Sequence, residues 1–468
     1  MSAAHPVRVC WHSSRCGTGS CTRSLILSTN PGLQDRRDGA SNAVVGTPQS
    51  VWSRRFLTYW SATSLSNLGS GVTLVALPIL AAQQLHAGAI ELGYLRALET
   101  VPYLLFALVI GQLADRVQPL FLMITADIVR ATLLVATVAL AVSGHLTLAL
   151  LYVAVFAIGM FTVTYDIAQF TFLPVIVPKS AMSAANSSVE LARGAASTFG
   201  PALGGFLTAA LRAGPSLLVD ACSYIYSAVA LLTLRHHRVQ RTSATANERA
   251  SLRSQLTGGL RFVGSHPQLR ALTAYLGVNN VCNQAFLTGL ITYLTIGEHR
   301  ASGQVGIAFG AYGAGFLVAA AAATSLGRRF GVGVNVIGSS LLSAAGIGFL
   351  ALSSMQFLGS GTATTLIFAG AFLVGFAAPL FNVPSVTLRL SLTPGHLLGR
   401  VNAVVKLVSQ GSLPLGAVVA GALFSSLSPL LAFGVIAAAS FAATAILAMS
   451  PLASTPADQI HGTKARQP

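Results

Sequence analysis

The chain has 468 residues, 53% of them apolar and 9% charged, where an ordinary soluble domain carries about 25% charged residues. With a mean hydropathy of +0.69 and apolar runs too long to close as strands or core helices, these figures exclude most soluble folds and describe a polytopic α-helical membrane protein. The balance of 28 Lys and Arg against 12 Asp and Glu, net +16, does not point to nucleic acid, because the cations fall in short loops between hydrophobic spans.

Residues 1–50 mix Ser, Gly, Arg and Asn without an apolar stretch of seven or more, so no secretory signal is expected and the first span can target itself. Cys10, Cys16 and Cys21 lie here with His5 and His12 nearby, at spacings that match no C-x-x-C metal pattern. A disordered or over-annotated tail is expected, with a zinc cluster as the alternative. From Phe56 onward twelve spans of roughly 20 residues follow. They cover about 57–85, 90–113, 119–142, 147–172, 183–211, 215–234, 268–295, 303–326, 332–355, 361–388, 397–427 and 429–452. Cys222 and Cys282 fall within spans and read as small apolar fillers.

An even number of spans puts both termini on one side. If that side is the cytoplasm, the inside segments hold Arg54, Arg55, Arg116, Lys179, Arg235, Arg238, Arg241, Arg249, Arg253, Arg261, Arg328, Arg329, Arg400, Lys464 and Arg466, and the outside loops only Arg212 and Arg300. That asymmetry orients the chain with cytoplasmic termini in a plasma or inner cell membrane. The predicted organisation is a tail over 1–50, a six-helix half over 51–234, a basic linker over 235–267, a second six-helix half over 268–452 and a tail over 453–468.

The two halves are related by an internal repeat. At an offset of 216, Pro178 matches Pro394, Asn186 matches Asn402, Gly200 matches Gly416, Gly205 matches Gly421 and Leu211 matches Leu427. The same offset pairs Gly111 with Gly327 and Thr171 with Thr387. Within the linker, Leu252, Leu256 and Leu260 recur among Arg253, Gln255 and Arg261, which predicts an amphipathic helix on the inner leaflet with its arginines toward anionic headgroups; a floppy linker is the alternative.

These residues resemble the major facilitator superfamily. Gly111-Gln-Leu-Ala-Asp115-Arg116 is similar to its G-x-L-A-D-R loop motif, and Gly200-Pro201-Ala-Leu-Gly204-Gly205 to the G-P-x-x-G-G end of the antiporter motif of exporters. Leu173-Pro174, Ala185-Asn186, Asp220-Ala221, Gly259-Leu-Arg-Phe262 and Gly399-Arg400-Val401 resemble the subgroup of the enterobactin exporter and macrolide efflux proteins. Val117-Gln118-Pro119-Leu120 replaces the usual run of basic residues after the loop motif, and Ser187 and Ala196 stand at the earlier glycines of the antiporter motif. The resemblance implies an all-α fold of twelve transmembrane helices in two pseudo-symmetric halves.

Ionisable groups inside spans are costly and default to function with a named partner. Glu99, Asp127, Asp166, Glu190 and Asp220 qualify, all in the first half. Asp127 has Arg130 one turn on, Glu190 has Arg193 and Glu99 has Arg96, so each reads either as a coupling carboxylate or as a locked structural pair. Asp166 has no cation within a turn and ranks first for protonation, ahead of Glu99 and Asp127; a structural hydrogen bond is its alternative. Asp220 reads as a cap or loop contact near the outer end of its span. In the superfamily the loop between spans 2 and 3 approaches span 11, and that between spans 8 and 9 approaches span 5. The resemblance therefore implies a cytoplasmic gate, with Asp115, next to Arg116, paired to Lys406 or Arg400, and Glu190 paired to Arg328 or Arg329. Solvated loop charge is the alternative.

Spans 1, 4, 7 and 10 line the central cavity of this fold, which by resemblance makes Asn67, Thr73, Phe161, Tyr165, Gln169, Asn279, Asn280, Asn283, Gln284, Phe286, Phe376, Phe381 and Asn382 candidate substrate contacts. Unpaired amides cost several kcal/mol in hydrocarbon, so the span-seven cluster must face protein or water. Amides and aromatics with few charges suit large, amphipathic, weakly charged molecules. Gly310, Gly313 and Gly315 follow no strand and read as helix packing rather than a dinucleotide site. The expectation is a proton-coupled exporter of such molecules working by alternating access, of drug, macrolide or siderophore type; a gradient-driven importer or facilitator is the alternative, and a non-transport membrane protein a distant one. No enzymatic activity, metal or cofactor is expected beyond the proton gradient. The expected partners are a small-molecule substrate, protons and lipid, with no nucleic acid, and the chain is expected to be a monomer.

Overall fold

The computed structural model describes residues 52–234, 252–297, 302–330, 332–355, 357–394 and 397–450, all within one compact unit, Ser50–Pro468. The cysteines of the 1–50 tail, the arginines from Arg235 to Arg249, and Lys464 and Arg466 lie outside the described residues. The helices are α1 (Arg54–Gln84), α2 (Ala89–Arg116), α3 (Pro119–Val142), α4 (Leu148–Ile176), α5 (Met182–Leu211), α6 (Ala213–Leu232), α7 (Leu252–Ser265), α8 (Pro267–Thr292), α9 (Ser302–Phe330), α10 (Val332–Ser353), α11 (Ser360–Leu392), α12 (Leu398–Ser426) and α13 (Pro429–Ala448). Twelve of these match the predicted spans, and α7 is the predicted linker helix.

Local chemistry sets several starts. Ser53 caps α1 by accepting from the Phe56 amide at 3.2 Å, and Thr147 caps α4 through Leu150 at 3.3 Å. Prolines open α3, α8 and α13, where a missing amide hydrogen costs nothing. Among the described residues nine helices are long and apolar enough to cross a membrane on length and composition. The predicted spans α2, α5 and α8 fall outside that set; in them Arg96 of α2 is buried and paired with Glu99 of the same helix, Arg193 of α5 packs on Phe170 of α4, and Asn280 of α8 bonds to Ser409 of α12.

The packing repeats between the halves. In the first, α1 packs on α5 and α6, α2 on α4, and α3 on α4 and α6; in the second, α8 packs on α12 and α13, α9 on α11, and α10 on α11 and α13. The halves meet through α2 on α12 and α5 on α9, contacts that the repeat exchanges. Helix starts keep the offset, 182 against 398 for α5 and α12 and 213 against 429 for α6 and α13.

One hydrophobic core joins the halves at the end opposite the termini, where Leu80, Leu92 and Leu95 share a cluster with Phe286, Leu290, Leu294 and Phe433. At the terminal end the cores are separate, one around Tyr59, Met123 and Phe172 and others around Tyr275 and Leu388 and around Val263 and Val404. The apolar core is therefore shared by the halves at the end opposite the termini and separate in each half at the terminal end. α7 docks on α12 and α8 through Val263, which is buried with Val401 and Val405, while Leu260 of the predicted apolar stripe points away and is 55% exposed.

Candidate functional site

A cavity of about 160 Å³ opens between α8, α9, α10 and α11, lined by Asn279, Asn280, Asn283, Tyr312, Phe316, Ser339, Ser340, Ser343, Val374, Ala377, Ala378, Phe381 and Asn382. Its wall holds amides, hydroxyls and aromatic rings and no ionisable acid or base other than the Tyr312 phenol. Asn279 accepts from the Tyr275 hydroxyl at 3.3 Å, and Asn280 donates to the Ser409 hydroxyl at 2.8 Å and the Ser409 carbonyl at 3.2 Å. Such a surface offers donors and acceptors without a fixed charge and suits an apolar body carrying a few polar groups.

Of the predicted contacts, Asn279, Asn280, Asn283, Phe381 and Asn382 reach this wall. The others do not. Gln284 is buried with its amide on Thr288 at 3.4 Å, and Phe286 is fully buried in the core that joins the halves. Phe376 stacks on Phe372. Phe161 packs against the core of the first half, and Asn67 is half-buried on α1. Tyr165 and Gln169 are buried, with the Gln169 carbonyl accepting from Tyr59 at 3.4 Å. Thr73 donates to Asp220 Oδ2 at 2.6 Å. These side chains point elsewhere than this wall because the 3.6-residue period gives each span several faces, and composition does not say which one meets the cavity. The sequence reading missed Tyr312, Phe316, Ser339, Ser340 and Ser343. The hydroxyl stripe of α10 was the signal that could have found the serines.

The first half contains a buried polar cluster. Asp127 is ion-paired with Arg130 one turn on, at 0% and 3% side-chain exposure, the pairing that the spacing allowed. The Arg130 guanidinium lies 4.7 Å from the Tyr165 ring centre and 4.1 Å from that of Tyr224. Asp220, read from sequence as a cap or loop contact, is instead fully buried and bonded by Thr73 and by Ser223 at 3.1 Å. Glu99 pairs with Arg96. Asp166 accepts from Tyr103 of α2 and lies within electrostatic reach of Arg193 from α5, a cation that a search within one helical turn could not find.

The gate residues take varied positions. Asp115 is the penultimate residue of α2 and Arg328 lies near the end of α9, with side chains outside the described residues. Arg116, Glu190 and Arg329 are exposed, and Glu190 is within electrostatic reach of Arg193 on its own helix. Arg400 lies against α7, where a Cβ at Gly258 would sit 3.3 Å from its Nη1. Lys406 reaches across the halves onto an aromatic face, its ammonium 5.1 Å from the Phe170 ring centre, with Arg193 5.6 Å from the same ring.

The Gly-Pro segment of α5 works on two sides. A Cβ at Gly200 would lie 2.7 Å from Gly71 Cα, and one at Gly204 2.8 Å from the Val72 carbonyl, both on α1; the Gly205 backbone is 3.0 Å from where a Cβ at Gly306 of α9 would stand. Pro201 between them is buried. The segment thus lets one helix touch its own half and the opposite half at backbone distance. Gly313 and Gly315 likewise pack on Thr198 and Phe372.

The sequence model of the transmembrane secretion effector family matches residues 49–468. The chain belongs to this family of major facilitator transporters. It is 27% identical over 399 residues to the uncharacterised major facilitator-type transporter YfiS of Bacillus subtilis, covering 81% of this chain and 88% of that one. It is 26% identical over 406 residues to the multidrug efflux pump Tap of Mycolicibacterium fortuitum, covering 80% and 93%. A variant of the nucleoside transporter NupG superposes with a TM-score of 0.68 at 12% identity, over 84% of this chain and 99% of that one, a likeness of fold. The family member described here is a multi-pass membrane transporter.

Proposed function

We propose that this transporter is a proton-coupled exporter of amphipathic, weakly charged small molecules, with both termini in the cytoplasm of a cell whose plasma or inner membrane it crosses. The observation that carries the reading is the cavity wall of Asn279, Asn280, Asn283, Asn382, Tyr312 and Phe381, which can hold polar and aromatic substrate groups without demanding a charge. Two further features support it: the two-sided Gly-Pro segment of α5, which fits halves that rock against each other, and the relative named as a multidrug efflux pump. Asp166, Glu99 and Asp127 are the coupling carboxylates that the sequence nominates, and Asp166, held by a tyrosine rather than an ion pair, is the first of them.

The test is accumulation of ethidium and of a macrolide in cells with and without expression. Lower accumulation that a protonophore abolishes is expected. Higher accumulation on expression would make the chain an importer. Asn283→Leu and Asn382→Leu each remove a hydrogen-bonding amide, worth about 1 kcal/mol, so binding of a recognised compound should weaken by roughly five- to tenfold per substitution.

A further inference from the structure

Asp220 is the buried carboxylate that the proposed function leaves unused. α1 presents to it the hydroxyls of Ser70 and Thr73 and the bare backbone of Gly69, where a Cβ would lie 2.5 Å from Asp220 Oδ1. From α3 come Asp127 and Arg130, from α4 Tyr165, and from its own helix Ser223 and Tyr224; Ser70 bonds the Tyr224 hydroxyl at 2.9 Å, and Arg130 is within electrostatic reach of Asp220.

Two contrasts separate Asp220 from Asp127. The first is chemical. Asp127 is ion-paired to a guanidinium, which only donates hydrogen bonds and so fixes a carboxylate beside the Ser227 hydroxyl, whereas the hydrogen bonds to Asp220 come from hydroxyls, which donate to a carboxylate and accept from a carboxylic acid. The second is charge. Two carboxylates and one guanidinium sum to −1, and one added proton makes the cluster neutral, which burial in a low-dielectric bundle favours. Access follows from α1: Asn67, Ser70 and Thr73 recur along one side of the helix and are half-buried, while Asp220 is fully buried behind Thr73.

We propose that Asp220 holds an exchangeable proton, reached through the hydroxyls of Thr73 and Ser70, and that this proton couples the movement of the first half to transport. The assignment rests on the proton-coupled reading above and moves its proton from the sequence-nominated Asp166 to Asp220. On release the carboxylic acid becomes a carboxylate, the proton leaves along the α1 hydroxyls, and Thr73 turns from acceptor to donor.

The experiment is infrared spectroscopy of the purified full chain in lipid, titrated from about pH 5 to about pH 9, a range in which an ordinary aspartate stays ionised throughout. A protonated-carboxyl carbonyl band should disappear as pH rises. It should be missing in Asp220→Asn, and it should persist in Asp166→Asn. Asp127→Asn should also lose it, because Arg130 then neutralises Asp220 alone. Thr73→Val keeps the carboxyl and should shift the band frequency, which tests the site even if Asp220→Asn fails to fold. A band that survives Asp220→Asn, that follows Asp166→Asn, or that is absent in the native chain overturns the proposal. Ethidium accumulation in the same cells separates the two ideas. A band that follows Asp220 without any effect of expression on ethidium leaves the site standing and removes export. Protonophore-sensitive efflux that Asp220→Asn leaves unchanged, instead of lowering roughly tenfold, removes the site and leaves export.

Discussion

Arg130 is the most enclosed cation among the described residues, set between the rings of Tyr165 and Tyr224 and paired with Asp127. Removing it strands a buried carboxylate and empties two aromatic faces, so Arg130→Leu should destabilise the purified protein by about 3–5 kcal/mol, read as a large fall in melting temperature. The Arg96–Glu99 pair provides the contrast. With Glu99 37% exposed and Arg96 7% exposed, Glu99→Gln should cost about 1–3 kcal/mol, a smaller shift in the same melt. Both pairs were legible in the sequence, since i, i+3 spacing on a helix brings such groups together. The setting of Asp220 was not. Its hydrogen-bond donor Thr73 is 147 residues away, and no local pattern links the two.

At the scale of elements, helix positions follow from hydropathy and capping, whereas helix contacts follow from shape. Gly375 of α11 faces α9 so closely that a Cβ would overlap the Tyr312 carbonyl oxygen, while Gly348 of α10 has nothing within 4 Å of its Cβ position. Gly375→Ala should therefore cost about 1–3 kcal/mol through overpacking, and it should also disturb the cavity wall that Tyr312 forms. Gly348→Ala should raise stability by about 0.5–1 kcal/mol through helix propensity. Thermal unfolding in detergent checks both signs. The linker helix shows the same division. Its existence was legible from Leu252, Leu256 and Leu260, but its docking face, through Val263, depends on α12 arriving from the far end of the second half.

At the scale of the whole molecule, rocking requires the halves to part where they now touch. The Ala209 Cβ lies 3.5 Å from the Cβ position of Gly303, within reach of a disulfide between α5 and α9. Ala209→Cys combined with Gly303→Cys should crosslink under oxidant and stop transport, with reductant restoring it. Continued transport by the crosslinked protein would mean that these ends stay together through the cycle.

By itself the sequence determined the class of molecule, twelve spans to within a few residues, the repeat and the family resemblance, because apolar length, loop charge and small-residue motifs act locally along the chain. Five of the thirteen cavity residues were legible in the same way, since adjacent amides in α8 cannot face lipid. Only the tertiary structure decided which face of each span meets the cavity, that α9 and α10 line it, and that Lys406 rests on Phe170 of the opposite half. It also decided that a dismissed aspartate lies at the centre of a buried polar cluster. The opening figures, few charges and fewer acids, limited the carboxylates to a short list; which of them is enclosed, and by what, depended on helices that meet only when the bundle closes.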